Sequence, residues 1–282
     1  MLLITGIEGH TKKRKIFKMT VHKTMQYAFS DFDPIVDRLV LSRSAIEADR
    51  NLVLKANPTL TQKDVRLTAL THLYHNVDFA LVALRFLDDN LLPSNNEWWQ
   101  QPKQQALFGS YDDWYREAVA NSFNNAFVKY TFMHKLFGCL ENALRQLLRK
   151  IDPLAANNAT ADITGVFRAL SSRIGGKPLD SEELLKLLRL SRNTYHNNGV
   201  FYSEKQQDDE VIYKGKTYHF THAKPVDFLN WNFLIDRLDD VRELLTTIIT
   251  NSAIIGIADE IADLFAENRK TVTPARKMSE GL

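Results

Sequence analysis

Apolar residues recur every three or four positions through most of the chain, and this spacing constrains the fold more than any other feature. The stripe over residues 132–148 is unbroken, and another covers residues 228–248. Such intervals place apolar side chains on one face of an α-helix. Only eleven glycines and eight prolines are spread over 282 residues. We therefore predict an all-α protein.

Proline, glycine and capping residues divide these stripes into helices. Asp33-Pro34 has the pattern of an N-cap followed by proline in the first turn, and Asp180 precedes Glu183 in the pattern of a capping box. The predicted helices cover residues 33–55, 61–92, 111–151 (as one helix or two joined in line), 163–174, 180–196, 225–248 and 253–268.

Composition also predicts how the chain is divided. Residues 1–30 contain Lys12-Lys13-Arg14-Lys15 and are expected to be a basic, flexible N-terminus. Residues 31–110 are predicted to be a helical extension, either a layer on the main domain or a separate recognition domain. Residues 111–270 form the main helical domain, and residues 271–282 a flexible tail.

Two shorter segments depart from the helical pattern. Alternation around Lys214-Gly215 predicts a β-hairpin over residues 210–220. Residues 92–110 are predicted to be a connection that Trp98 and Trp99 anchor to the body.

Most of the chain offers few candidate residues for binding or catalysis. Its formal charge is +2, so contact with a nucleic acid requires a local basic patch. The one cysteine, Cys139, lies in an apolar stripe and is expected to fill the core in a reducing compartment. No phosphate-binding glycine loop or Cys/His ligand set is present, so we expect no cofactor and no metal.

With no membrane span or signal peptide in the sequence, we expect a cytoplasmic protein.

The densest group of polar side chains lies between Arg189 and Gly199. Arg192 lies three residues after Arg189, and His196 lies seven residues after it. These spacings put the three side chains on one helix face, with Asn193 beside them. Gly199 is expected to end this helix. Such a group suits an anionic ligand, although the same side chains can also satisfy the last carbonyls of a helix.

This stretch resembles the signature of the HEPN superfamily, in which four to six residues separate an Arg, often followed by Asn, from a His. Members are all-helical domains of bacterial toxins and antiviral systems, and many are metal-independent ribonucleases. Two alignments are open, one using Arg192-Asn193, with three residues between Arg192 and His196, and one using Arg189, with six residues between Arg189 and His196. The resemblance implies an all-α, multi-helix bundle of HEPN type, here with an N-terminal helical extension and a β-hairpin after the motif helix.

The resemblance also implies a site and a function. The expected catalytic residues are Arg192, His196 and Asn193, and the expected supporting residues are Arg189, Asn197, Tyr195, Glu141 and Arg145. A histidine can act as base or acid near neutral pH, and an arginine can hold phosphate oxygens. Because the motif helix supplies one histidine, a homodimer is expected to bring two copies to one scissile phosphate.

The expected function is therefore a metal-independent endoribonuclease that cleaves RNA by attack of the 2'-hydroxyl, in a toxin or phage-defence role. RNA is the expected substrate, with an antitoxin or defence-system protein as a further partner and no membrane. The alternative is a noncatalytic HEPN-like protein that binds RNA or nucleotides, or acts as a scaffold.

Overall fold

A computed structural model of the chain describes residues 32–92, 96–109, 112–158, 162–176 and 178–263. All of them belong to one compact unit. The predictions of a basic N-terminus (1–30) and of a tail (271–282) lie outside the described residues.

The described chain is mostly helical, as the apolar periodicity predicts. Its helices are α1 (Phe32–Ala56), α2 (Val65–Phe86), α3 (Asn96–Gln100), α4 (Pro102–Phe108), α5 (Asp113–Ser122), α6 (Tyr130–Ile151), α7 (Pro153–Asn158), α8 (Ile163–Arg173), α9 (Ser181–His196), α10 (Trp231–Thr250) and α11 (Ser252–Ile255). A π-helical segment, Leu87–Leu91, extends α2, and a second, Phe123–Lys129, joins α5 to α6 in line. Within the described residues, no helix has the length and apolarity needed to cross a membrane.

Helix α6 lies at the centre of the packing. Its buried stripe includes Phe132, Leu136, Leu140 and Leu144, all 0% exposed. It packs against α2, α8, α9 and α10, while α1 packs against α2 and α10. Full burial of each such side chain contributes about 1.5–3 kcal/mol. The N-terminal helices α1 and α2 therefore form a layer on the same core.

Four short strands follow α9, namely β1 (Val200–Phe201), β2 (Asp209–Tyr213), β3 (Lys216–Phe220) and β4 (Lys224–Pro225). The predicted hairpin is confirmed: β2 pairs with β3, and the turn residues Lys214 and Gly215 have φ of 48° and 74°, as a type I′ turn requires. Arg237 of α10 donates to the Tyr218 hydroxyl and pairs with Asp240 at 2.6 Å, which holds the hairpin to the helices. The pairing of β1 with β4 was not predicted, because two-residue strands leave no alternating pattern.

The structure corrects the predicted ends of three helices and one predicted cap. Helix α2 begins at Val65 and not near Thr61, because the carboxylate of Asp64 accepts a hydrogen bond from the first turn. Asp180 directly precedes α9 as predicted, but its φ of 56° is left-handed and its side chain makes no capping hydrogen bond. The helix predicted over residues 253–268 ends at Ile255, because the chain beyond it turns to run beside the start of α2. Helix α10 begins at Trp231 and not at Pro225, because Pro225 pairs in β4 and the side chain of Asn230 caps the helix.

The predicted connection over residues 92–110 also differs from the structure, since it contains α3 and α4. The prediction that tryptophans anchor it is confirmed. Trp99 is buried, and Trp98 packs edge-on against Phe86 of α2 with ring centroids 6.4 Å apart.

A buried ion pair joins the start of α2 to the segment that follows α10. Arg66 donates to Asp64 at 2.6 Å, and both side chains are 1% exposed. The same guanidinium donates to the backbone carbonyls of Ile254, Ile257 and Asp259. Because the carbonyls lie after α10, this pair fixes the C-terminal segment to α2.

Asp64→Ala should destabilise the protein by about 3–5 kcal/mol, because it leaves the Arg66 charge buried without its partner. Asp236→Ala is the matched control, since it removes an exposed partner that Arg38 contacts at 2.7 Å; it should cost under about 1 kcal/mol. Urea unfolding followed by circular dichroism measures both. Equal losses in the two variants would contradict this account.

Candidate functional site

The end of α9 has two faces with different environments. Thr194 and Tyr195 are buried, and the Tyr195 hydroxyl donates to the carbonyl of Leu229 at 3.1 Å. On the face toward α6, Arg192 is half-buried and His196, four residues later, is exposed. The predicted clustering of these two residues on one face is therefore confirmed.

Gly199 ends this helix as predicted. Its φ is 85°, and its N–H donates to the carbonyl of Thr194 at 2.9 Å. Asn198 also has a positive φ, of 54°. Two left-handed residues in succession turn the chain sharply away, which leaves His196 at an open edge.

The facing surface belongs to the first turn of α6. It follows directly on the second π-helical segment, which the Trp231 indole fixes to α10 by donating to Asn124 at 3.0 Å. The wider turn of a π-helix changes the direction of the side chains that follow it, and such segments are frequent at functional sites. Tyr130 and His134, one turn apart, consequently meet the end of α9.

The central contact of the site joins two histidines of the same chain. The Nε2 atoms of His134 and His196 lie 2.7 Å apart, with the two rings nearly perpendicular at 88°. Tyr130 stacks on His134 at 4.1 Å between ring centroids, and its hydroxyl lies 3.3 Å from Nδ1 of His196. These three rings form one hydrogen-bonded group, which we call the histidine pair and its tyrosine.

The partners of these rings fix their protons. Nδ1 of His134 lies 3.0 Å from the backbone carbonyl of Tyr130, and a carbonyl only accepts, so Nδ1 of His134 carries the proton. In the neutral ring, Nε2 of His134 is then an acceptor, and the N–H of His196 Nε2 donates to it. Nδ1 of His196 is left to accept from the Tyr130 hydroxyl. The result is a continuous chain of hydrogen bonds in which each ring nitrogen has one assigned role.

The electrostatics of the site favour a neutral His134. Its pKa is lowered by burial first, although the hydrogen bond to Tyr130 opposes this, and the positive charges of His196 and Arg192 lower it further. Near neutral pH the ring is therefore in its neutral form, which is the form that a general base needs. Arg192 itself lies over the ring of Phe137 at 5.0 Å and forms no ion pair with the part of the chain that the structure describes. Its charge is available to an anion.

The other predicted residues lie at varying distances from this pair. Arg189 is exposed one turn back along α9, and the exposed Asn193 accepts a hydrogen bond from Asn197 through its backbone carbonyl. The Tyr195 hydroxyl donates to the Leu229 carbonyl, as described above, so Tyr195 helps to fix the position of the helix end.

Glu141 and Arg145 pair with each other at 2.7 Å on α6. Glu141 is seven residues after His134, which places it on nearly the same face but about 10 Å along the helix axis. The two residues therefore border the site and do not lie in it.

An open cleft of about 560 Å³ lies beside the histidine pair. Its lining includes His196, Tyr130 and Lys129, the last residue of the π-helical segment. Lys129 is 5% exposed, and burial lowers its pKa to about 8. Its Nζ donates to Asn125, also in the cleft, at 2.8 Å.

Sequence reasoning did not find His134, Tyr130 or Lys129. A signal for the first two existed, since Tyr130 and His134 are four residues apart and so lie on one face of α6, at half-buried positions. Their meeting with His196, 62 residues after His134, depends on the packing of two helices. Nothing in the sequence marks the π-helical segment that brings Lys129 to the cleft.

Two other histidines and the cysteine lie outside this site. His219 pairs with Glu210 at 3.1 Å, and His222 accepts a hydrogen bond from the backbone N–H of Ser203. Cys139 is buried, as predicted, and burial raises its pKa to about 12. Among the described residues, no three His, Cys, Asp or Glu side chains are grouped to hold a metal ion.

Comparisons of the chain with protein-family models, with curated proteins and with solved structures found no match.

Arg192→Met should raise the pKa of His134, because it removes one of the positive charges that disfavour the imidazolium while keeping an apolar stem over Phe137. Arg189→Met, one turn away, should leave that pKa unchanged. An NMR titration of the His134 Cε1 proton measures both. An unchanged pKa in the Arg192 variant would show that its charge does not reach the pair.

Proposed function

We propose that the protein is a metal-independent endoribonuclease of HEPN type that cleaves RNA by attack of the 2'-hydroxyl on the adjacent phosphate. The observation that carries the proposal is the 2.7 Å contact between Nε2 of His134 and Nε2 of His196, beside an arginine that has no ion pair among the described residues. The resemblance of the Arg189–His196 stretch to the HEPN signature supports the same chemistry.

The histidine pair supplies the acid and the base that this reaction needs. His134 accepts the proton of the 2'-hydroxyl on Nε2, and the 2'-oxygen bonds to phosphorus. His196, protonated, gives its proton to the departing 5'-oxygen as the bond from phosphorus to that oxygen breaks. The products are a 2',3'-cyclic phosphate and a 5'-hydroxyl end. Water then returns the two histidines to their starting protonation states.

The asymmetry of the pair supports this division of roles. His134 has a lowered pKa and is held by the Tyr130 carbonyl and by stacking on the Tyr130 ring. His196 is exposed, and its Nδ1 can be protonated because the Tyr130 hydroxyl can turn from donor to acceptor. These contacts favour His134 as the base and His196 as the acid.

A phosphate must enter between the two rings for this reaction to occur. In-line attack puts the base and the acid on opposite sides of phosphorus, so the direct contact between Nε2 atoms describes the site without substrate. The exposed His196 ring is the one that can turn outward. Arg192, half-buried over Phe137, then provides permanent charge and a planar set of donors for phosphate oxygens.

Arg192 is thus the better of the two candidate arginines. It is one of the charges that lower the pKa of His134, whereas Arg189 lies exposed a turn further from the pair. Asn193 is exposed next to Arg192 and remains a candidate donor to RNA.

The second histidine of the reaction comes from the same chain in this proposal. The chemical reason for expecting a homodimer therefore no longer applies, and a homodimer stays a separate prediction. A role as a toxin or in phage defence, with an antitoxin or defence-system partner, likewise stays a prediction, for which arrest of bacterial growth on expression is the first sign to seek.

The alternative of a noncatalytic RNA- or nucleotide-binding protein rests on a different observation. The 560 Å³ cleft beside the pair can hold a nucleotide even if the rings never separate. Binding of RNA without cleavage would favour this alternative.

His134→Asn and His196→Asn should each reduce RNA cleavage by about 10²–10⁴-fold, the usual contribution of a general acid or base. In the first variant, the amide that replaces the imidazole retains a donor for the Tyr130 carbonyl, so the fold should be kept.

A labelled single-stranded RNA is incubated with each protein in EDTA, and product ends are identified by mass. His219→Asn is the control, because His219 is an exposed histidine outside the site; it should cleave like the wild type. DNA of the same sequence should resist cleavage, since it lacks the 2'-hydroxyl. Wild-type activity in both site variants would remove the proposal.

A further inference from the structure

A second cavity, of about 270 Å³, is lined by residues of α2 and α6. Its lining includes His72 and His75 of α2 and Lys135, Gly138 and Asn142 of α6. Spacings of three and seven residues place the three α6 positions on one face of that helix. Among the described residues that line the cavity, none is acidic. The lining therefore favours a ligand that carries acceptors or negative charge.

Two of these side chains have hydrogen-bond donors to spare. Lys135 is exposed, and its ammonium lies 4.6 Å from the centroid of the Phe79 ring but forms no ion pair or hydrogen bond with a described residue. His75 is exposed as well, and it also lacks a hydrogen bond or ion pair within the described part of the chain. An ammonium has three N–H groups and a neutral imidazole has one. Both side chains can therefore donate to a ligand in the cavity.

The carboxylate of Asp263 is the acidic group that contacts this lining. It lies 3.6 Å from Nε2 of His72 and accepts a hydrogen bond from Asn142. The side chain of Asp263 is 0% exposed. Its charge is thus directed to His72 and Asn142, and the charge of Lys135 stays available at the surface.

Gly138 keeps the surface beside the cavity uncovered. It lies inside α6, where glycine is less favourable than any residue except proline. The residue is exposed, and a Cβ atom built on it would meet no atom within 4 Å, so no close contact requires glycine here. A longer side chain would lie over the preceding turn, which contains His134 and Lys135. The missing side chain therefore leaves a path between the histidine pair and the cavity.

The histidine pair and the cavity are close together on α6. Lys135 directly follows His134, and Gly138 is one turn further, about 6 Å along the helix axis. An RNA strand bound at the histidine pair must continue over the protein surface, and it carries a phosphate at every nucleotide. Because the net charge of the chain is only +2, such phosphates require local cations.

We infer that the cavity between α2 and α6 is a second phosphate subsite for the RNA strand, in which Lys135 and His75 donate to a phosphate outside the scissile linkage. The strand crosses α6 at Gly138. Phosphate contacts position a nucleic acid and carry no sequence information, so this subsite raises the affinity for RNA of any sequence. The inference deepens the proposed function and rests on it for the position of the scissile phosphate.

Salt dependence of binding tests the role of Lys135. A fluorescein-labelled 2'-O-methyl oligoribonucleotide is used, since methylation of the 2'-oxygen prevents cleavage, and binding is followed by anisotropy. On single strands each phosphate contact contributes about 0.7 to the slope of log K against log salt. Lys135→Met should therefore reduce that slope by about 0.7 and lower the affinity at about 0.1 M salt roughly fivefold.

Lys216→Met is the matched control. Lys216 is also exposed, and its ammonium lies over the Tyr218 ring at 5.1 Å, but it belongs to the hairpin and does not line the cavity. This variant should bind the strand with the wild-type slope. An unchanged slope in Lys135→Met, or equal losses in the two variants, would overturn the inference.

Substitutions of Gly138 separate binding from stability. Gly138→Ala should raise the midpoint of urea unfolding, because alanine favours the helix and its Cβ enters open space. Gly138→Leu should unfold at the wild-type midpoint or above it, yet bind the oligonucleotide at least fivefold more weakly. Wild-type affinity in Gly138→Leu would show that the strand does not cross α6, and it would overturn the inference.

The Cε1 proton of His75 distinguishes an RNA phosphate from free phosphate. Adding the oligonucleotide should shift this NMR signal in the wild type and leave that of His219, outside the cavity, in place. The shift should be smaller in Lys135→Met. A shift of His75 with inorganic phosphate that the oligonucleotide does not produce would assign the cavity to free phosphate and contradict the inference.

Cleavage of unmodified RNA separates this inference from the proposed function. Lys135→Met should raise KM about fivefold and leave kcat unchanged, which supports both. Cleavage with the wild-type KM in that variant overturns the subsite and leaves the ribonuclease intact. Binding that depends on Lys135, with no cleavage of any RNA by the wild type, supports the subsite and removes the ribonuclease.

Discussion

The packing of α9 against α6 determines where every candidate group of this protein lies. Leucines of α9 such as Leu184 and Leu188 are buried, as is the apolar stripe of α6. Once those faces meet, the polar residues at the border are brought together: Arg192 over Phe137 and His196 against His134. The order of these contacts along the two helices is antiparallel. The site thus depends on the apolar contact between α6 and α9, and disruption of this contact would separate the two histidines.

The polar groups at the end of this contact between α6 and α9 are only partly buried, and the proposed chemistry depends on this partial burial. A fully buried histidine would lose contact with solvent and substrate, while a fully exposed one would have no reason to depart from its ordinary pKa. His134 lies between these extremes, with its Nδ1 held by a backbone carbonyl and its pKa lowered. His196, one contact away, is exposed and can turn. One helix pair thereby provides two histidines with different properties.

Much of the helical architecture follows from the sequence, because an apolar period of three to four residues leaves few other structures. The shared face of Arg192 and His196 and the helix stop at Gly199 are local features, so spacing alone predicts them. His134 is different, since its partner is 62 residues away and its neighbours form an apolar stripe that suggests only core packing. The π-helical turn that brings Lys129 into the cleft is set by tertiary contacts such as that of Asn124 with Trp231, which no local pattern encodes.

The most direct test of the one-chain histidine pair uses an RNA whose scissile 5'-oxygen is replaced by sulfur. A thiol has a pKa near 8.5, so a thiolate leaves without the proton that an alkoxide needs. If His196 is the acid and His134 the base, His196→Ala should cleave this RNA at close to the wild-type rate, while His134→Ala should remain slow. Equal impairment of both variants on the sulfur substrate, or rescue of His134→Ala instead, would contradict the assignment.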